Sequence, residues 1–303
     1  MRTIAICNLK GGVAKTTTAV NLAADLARDL GRRVLVVDAD SQANTTSFLG
    51  GDRDLVGMAD LLQGLVRGGN PLELQNTNVE GVRLVSGSAE LMDLDLSKAG
   101  DGRADVCCLR KLRSMLEEVH EMGPPGLAAI LYGEPFDYCL IDCPPAFNAA
   151  SSAALIAADE VLIPVKLDAF ALEGMANLMQ QISNMRRINP ALRVLGVLPV
   201  MWYRSDNVIK AESALRSAGL TVLPRIRRSD RVDDMTYHQK PLISCAPRCG
   251  ACQDYRRLAR WIDGPAGDGA SRTPPPTEEE PLREHSAKVT TRRAVVKGGG
   301  LDG

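Results

Sequence analysis

Five short, nearly uninterrupted apolar runs recur along this chain: RTIAICNL (2–9), RRVLVVDAD (32–40), FDYCLIDCPP (136–145), DEVLIPVK (159–166) and LRVLGVLPVMW (192–202). A strand with one wet face alternates apolar and polar residues. Runs this continuous fit strands covered on both faces, as in a parallel sheet. Between the first two lies TTTAVNLAADLARDLG, where Ala19, Leu22, Ala23, Leu26 and Leu30 recur at helical spacing and Gly31 stands as a stop. Strand, helix and strand in about 35 residues make a βαβ unit. A second helix is expected over FALEGMANLMQQISNMRRINP, with Leu172, Met175, Leu178, Met179, Ile182 and Met185 on one face. That stripe reads as core packing against the sheet, with a dimer contact as its alternative use. The expected fold is α/β: a doubly wound, mostly parallel sheet flanked by helices, in one domain over residues 1–263.

Composition narrows the class. Of 303 residues 45% are hydrophobic, enough for a substantial core, but aromatics are only 4%, so Val, Ile, Leu, Ala and Met must build it. No apolar run reaches the roughly 18 residues of a transmembrane helix. The opening MRTIAICNLK is too short in its apolar part for a signal peptide and lacks a small-residue cleavage site. Eight cysteines without a secretory signal are expected to be free thiols, and the protein to be cytoplasmic. Residues 264–303 show no apolar periodicity and are dominated by Pro, Gly and charge, so a disordered tail is expected there.

The first run passes directly into CNLKGGVAKTTT (7–18). A strand entering a glycine-rich turn and then a helix presents backbone N–H groups and a helix N-terminus to an anion. Here the turn is Gly11-Gly12-Val13-Ala14, followed by Lys15 and Thr16. Lys15 is placed to meet the β- and γ-phosphates of a nucleotide, and the Thr16 hydroxyl to ligate magnesium. The G-x-x-x-x-G-K-[ST] template nevertheless fails at both glycines, which are Leu9 and Ala14, and a second lysine, Lys10, precedes the turn. The second run ends in VLVVDADSQAN, where Asp38 and Asp40 are two apart and share a strand face. Ligands of open α/β sheets bind outside the carboxyl ends of the strands, where these aspartates lie.

The stretch from Lys10 to Thr17 resembles K-G-G-x-[GA]-K-[ST]-T, the deviant Walker A motif of the ParA/MinD class of P-loop NTPases. That resemblance implies nucleotide contacts from Lys10, Gly11, Gly12, Val13, Ala14, Lys15, Thr16 and Thr17. It also implies a role for Lys10: reaching across a dimer interface to the partner's nucleotide, where a cation in trans acts as an arginine finger does. VLVVDADSQAN is similar to the class's D-x-D-x-Q-x-N element, with Ser41 and Ala43 departing from the usual Pro and Gly. By that resemblance Asp40 orients the attacking water and Asp38 contacts the magnesium shell. DYCLIDCPP resembles the Walker B strand, which makes Asp142 the carboxylate that holds magnesium through water. Lys10, Lys15 and Asp40 are thus the implied catalytic set, with ATP and magnesium as ligands. PVKLDAFALEGMANL and the stretch VLPRIRRSDRVDDMTYHQKPLISCAPRCGACQDYRRLARWI are also similar to ParA/Soj segments, and Pro224 is the implied base contact. Coverage is about 2–263, least clear over 100–135.

Charge is uneven. Between Arg204 and Asp263 twelve Lys/Arg face seven Asp/Glu, a surplus of five in a chain whose net charge is −1. Such a patch is the footprint of a binder of phosphate backbones, and a solvated basic face is its bland alternative. With the resemblance, the expected contacts to non-specific DNA are Arg225, Arg227, Arg228, Arg256 and Arg257. The implied function is an ATP-bound homodimer on nucleoid DNA, hydrolysing slowly until a ParB-like partner stimulates it, to segregate a plasmid, chromosome or mobile element, with no membrane contact. Three alternatives stand, one of them a DNA-bound repressor in which hydrolysis is incidental. A MinD-like membrane-surface ATPase needs a C-terminal amphipathic helix, which TTRRAVVKGGGLDG is too short and Gly-rich to form. An iron–sulfur carrier on the same fold would use Cys245, Cys249 and Cys252, whose spacing suits a cluster.

Overall fold

The computed structural model describes residues 1–65, 72, 74–94, 104–122 and 134–264. Residues 265–303 of the expected tail and most of EMGPPGLAAILYGEP lie outside them. Seven strands form one sheet: β1 (Arg2–Ile6), β2 (Val34–Asp38), β3 (Gln75–Asn76), β4 (Val82–Val85), β5 (Tyr138–Asp142), β6 (Glu160–Lys166) and β7 (Arg193–Val200). Their order is β3-β4-β2-β5-β1-β6-β7. Every pairing is parallel except that of the two-residue edge strand β3 with β4. The five apolar runs became β1, β2, β5, β6 and β7, and β2 and β5 are buried along their whole length. The expected doubly wound sheet is present.

Both faces of that sheet are covered. On one, α1 (Lys15–Leu30), α8 (Arg231–His238), α9 (Leu242–Cys245) and α10 (Gly250–Asp263) pack on Ile4, Ile6, Val34, Val36 and Leu140. On the other, α3 (Met58–Gln63), α4 (Cys108–Met122), α5 (Ala149–Ala157), α6 (Ala171–Met185) and α7 (Asp206–Ser217) pack on Ala5, Leu35, Val37, Cys139 and Ile141. Consecutive strand residues thus feed opposite layers, so neither alternate could be polar. The methionine stripe of α6 is core at Met175, Leu178 and Ile182, half-buried at Met179 and Met185, and ends at the exposed Leu172.

Register positions the site. Ile6 of β1 and Asp38 of β2 both pair with Asp142 of β5. Because β5 lies between β1 and β2, the phosphate-loop strand and both strand-end aspartates open onto one crevice at the carboxyl edge. The order in which the strands are laid down reverses there, and that is where open α/β sheets bind ligands. A short helix, α2 (Asn44–Phe48), follows β2 and closes over that edge.

Candidate active site

The turn after β1 is built from two left-handed residues, Gly12 (φ 69) and Ala14 (φ 59), the latter standing as N-cap of α1. A left-handed non-glycine residue costs roughly 1–2 kcal/mol. Ala14 places no side chain on the first N–H groups of α1, so the positive end of that helix is left for an external anion. Lys15, only 7% exposed, folds back and donates from Nζ to the Lys10 carbonyl at 3.1 Å. Gly11 and Gly12 are exposed beside it and Val13 is buried beneath.

Asp142 is buried at the end of β5. Its Oδ2 accepts two hydroxyls, Thr16 Oγ1 at 2.7 Å and Thr45 Oγ1 at 2.7 Å. Its Oδ1 is buried and has no partner. Asp38 beside it accepts Thr46 N and Thr46 Oγ1, both at 2.7 Å, and Asp40 N at 3.3 Å. Burial pushes both carboxyls above the usual carboxylate range, and the charge on Asp142 pushes Asp38 further; the Thr45 and Thr16 hydroxyls partly counter this at Asp142. Adjacent desolvated carboxyls with one oxygen unsatisfied suit a divalent cation, which would offset the burial cost. Thr16 and Asp142 fit that role. Asp38, expected in the magnesium shell, accepts from Thr46 and Asp40 and so braces the segment leading to α2.

Asp40 is half-buried, and its Oδ1 accepts Gln42 N at 3.0 Å, closing the turn that Ala43 (φ 48) completes. Lys10 leaves the loop in another direction. Its Nζ lies 2.5 Å from Asp168 Oδ2, just beyond β6, and 5.9 Å from the Phe170 ring centroid. That ammonium holds the Asp168 carboxyl below its usual range. The pair is partly exposed, so Lys10 stands apart from the nest that Lys15 fills.

A cavity of about 310 Å³ adjoins Ala14 and Thr17. Its far wall is formed by Met201, Tyr203, Ile226, Val232 and Tyr255, with the strained Met201 (φ 51) just past β7. This is near the lower end of small-molecule sites and has the apolar lining a flat base needs. Pro224, the expected base contact, is buried and does not line it; the wall comes from Ile226 to Ser229 instead.

Residues 1–194 match the family model described as an AAA domain. The chromosome-partitioning protein ParA of Caulobacter vibrioides is 33% identical over 275 residues, covering 86% of this chain and 94% of that protein. The chromosome-partitioning ATPase Soj of Thermus thermophilus is 36% identical over 269 residues, covering 86% and 95%. This chain belongs to the ParA/Soj family of partitioning ATPases. Among solved structures, cobyrinic acid a,c-diamide synthase from Mycobacterium smegmatis with bound ADP and magnesium superposes with a TM-score of 0.68 at 28% identity, covering 86% of this chain and 94% of that one. The MinD protein of Pyrococcus horikoshii shares the fold, with a TM-score of 0.67 at 23% identity, covering 87% and 96%.

Against that ParA/Soj background the basic stretch is only partly a free surface. Arg227 donates from N, Nε and Nη2 to the buried Asp254, and Arg257 lies 3.8 Å from the same carboxylate. Arg225 stacks 3.9 Å from the Trp202 ring centroid, and Arg256 Nε lies 3.5 Å from Asp29. Of the five arginines expected on DNA only Arg228 is exposed. The surplus charge fell largely on intramolecular partners because α10 turns its arginines toward α1 and toward its own Asp254.

The cysteine triplet is a correction. Cys249 Sγ accepts Cys252 N and caps α10, Cys252 is in the core, and Cys245 Sγ donates to the Lys240 carbonyl. No group of three His, Cys, Asp or Glu that could hold a metal occurs among the described residues, so the three cysteines are not gathered as their spacing suggested. No helix among them is long and apolar enough to cross a membrane. Sequence reasoning missed Thr45, Thr46, Asp168 and Gly87. A Cβ on Gly87 would sit 2.9 Å from the Asp38 and Asp40 carbonyls, so only glycine allows that approach. Only its closeness to Asp38 and Asp40 gives Gly87 away, and such closeness is absent from a single sequence.

Proposed function

We propose that this chain is an ATP-driven dimerising switch that binds DNA without sequence preference and hydrolyses ATP slowly, with a ParB-like partner, to segregate a plasmid, chromosome or mobile element. The observation that carries the reading is the uncapped start of α1 next to Thr16 and an Asp142 oxygen that is buried without a partner. ATP places its phosphates on the 10–17 loop, Lys15 turns from the Lys10 carbonyl to the β- and γ-oxygens, and the base enters the cavity beside Thr17. Thr16 and Asp142 would hold magnesium, which would supply positive charge to the phosphate oxygens. Asp38 keeps the Asp40 turn in place, and Asp40 orients the water that attacks the γ-phosphorus as ADP departs. Lys10 exchanges Asp168 for the nucleotide of a second subunit, so the dimer forms only around ATP. The unit responsible is residues 1–263, and the protein works in the cytoplasm on the nucleoid.

DNA contact falls on Arg228 and the exposed Arg204, whose segments are joined by the bond from Arg228 N to the Trp202 carbonyl at 2.9 Å. Binding to a random duplex is to be measured with ATP, ADP or no nucleotide, for wild type and Arg228→Glu, at two salt concentrations. The reading expects binding with ATP alone, weakened by salt and by the charge reversal. Absence of binding in every nucleotide state sinks it.

A further inference from the structure

Thr45 has no place in the phosphate-loop reading, yet it is fully buried and its hydroxyl lies 2.7 Å from Asp142 Oδ2. We propose that Thr45 is a positioning residue for the cation site, clamping the Asp142 carboxylate from α2 while Thr16 holds the same oxygen from α1. The inference rests on the nucleotide–magnesium reading of that site.

Three observations lead to it. Two hydroxyls from different elements converge on Oδ2, which fixes the rotation of the carboxylate and leaves Oδ1 without a protein partner. A carboxylate that approaches a cation in a set orientation needs such outer partners, since a buried one held at a single point can turn. Thr45 also neighbours Thr46, whose N–H and hydroxyl grip Asp38. One short helix therefore binds both strand-end carboxylates by adjacent residues, with Gly87 N donating to Thr46 Oγ1 at 2.9 Å behind it. α2 is joined to the turn that carries Asp40, since Ser47 N and Ser47 Oγ both donate to the Ala43 carbonyl. Were Thr16 to turn to a cation, Thr45 would be the donor left on Oδ2.

The test is a magnesium titration of binding of a fluorescent ATP analogue to the full chain, for wild type, Thr45→Val and Thr45→Ser, with EDTA-treated protein as reference. Valine keeps the volume and removes the hydroxyl; serine keeps the hydroxyl. The expected result is a rise of about 10-fold or more in the magnesium needed for half-saturation with valine. Serine is expected within about 2-fold of wild type, and affinity in EDTA the same for all three. An unshifted valine variant overturns the proposal, as does equal loss in valine and serine. So does a fall in EDTA affinity as large as that with magnesium, which marks a general structural role. A wild-type protein that binds no nucleotide with or without magnesium overturns the functional reading itself, and the clamp with it.

Discussion

The carboxyl edge of the sheet and the basic stretch from Arg204 to Asp263 were equally conspicuous in sequence, yet only one kept its expected shape. At the edge, residues 10–17, Asp38, Asp40 and Asp142 meet in one crevice, because strand register and a turn of fixed length leave little choice. In the basic stretch the arginines scattered: Arg225 onto Trp202, Arg227 and Arg257 onto Asp254, Arg256 onto Asp29, and Arg228 to the surface. A backbone motif carries its geometry with it. A long, flexible cation goes wherever the nearest carboxylate or ring lies, and that depends on the packing of distant helices.

The sharpest test of the first region is Lys15→Ala. Losing the buried ammonium of the loop is expected to weaken ATP-analogue binding by roughly 100-fold or more in a fluorescence titration. A change of only a few fold would mean that the phosphates lie elsewhere. In the second region, Asp254→Ala removes the buried carboxylate that three Arg227 donors share, and urea unfolding is expected to show a loss of about 3 kcal/mol. Arg228→Ala, on the surface, is expected to stay within about 0.5 kcal/mol of wild type. Equal costs would erase the contrast drawn between the two arginines.

Asp25 joins the two regions, since it lies inside α1 and faces α10. It is 1% exposed with a partnerless Oδ1, and burial raises its carboxyl to about 8 despite Arg256 and Arg260, with Asp29 adding to the rise. A carboxyl whose folded pKa lies above its unfolded value stabilises the fold while protonated, and that contribution fades as pH climbs through the interval. Stability should therefore fall as pH rises from about 4 to about 8, by on the order of 1 kcal/mol per pH unit, and level off above that, and Asp25→Asn should flatten the slope. Thermal melts across that range decide it; an unchanged slope in the variant would show that Asp25 ionises freely. The smallest effect is expected at Lys10. Removing its partner by Asp168→Ala releases an exposed pair worth about 0.2–1 kcal/mol, so ATP-dependent dimerisation in sedimentation equilibrium should tighten up to about 5-fold. Weaker dimerisation would show that Asp168 serves the dimer rather than competing with it.

Much of this was legible beforehand. The continuous apolar runs specified strands buried on both faces, and α1 was bounded by its own periodicity and by Gly31, which takes φ 65 at its C-cap. The edge strand β3 and the short helices α2, α3 and α9 left no comparable signal, since two to six residues are too few for a period to register. Within the site, residues that act through the backbone turn or from a strand end were found from their spacing. Thr45, Asp168 and Gly87 were not, for each matters through a partner tens of residues away, and Thr46 was not because its grip on Asp38 depends on how the intervening turn folds back. Asp38 shows the division in one residue: its place at the strand end was written in the sequence, but its attachment to Thr46 was not.

By itself, then, the sequence determined the layered sheet, the loop between β1 and α1 and the clustering of carboxylates at one edge, because periodicity and turn length are local properties. Tertiary structure alone decided which arginines reach solvent, why Cys249 caps a helix and Cys252 fills the core, and that Thr45 shares Asp142 with Thr16. Those outcomes depend on which groups burial brings within about 3 Å of each other, and a buried polar group takes the partner at hand because leaving it unpaired costs roughly 1–3 kcal/mol.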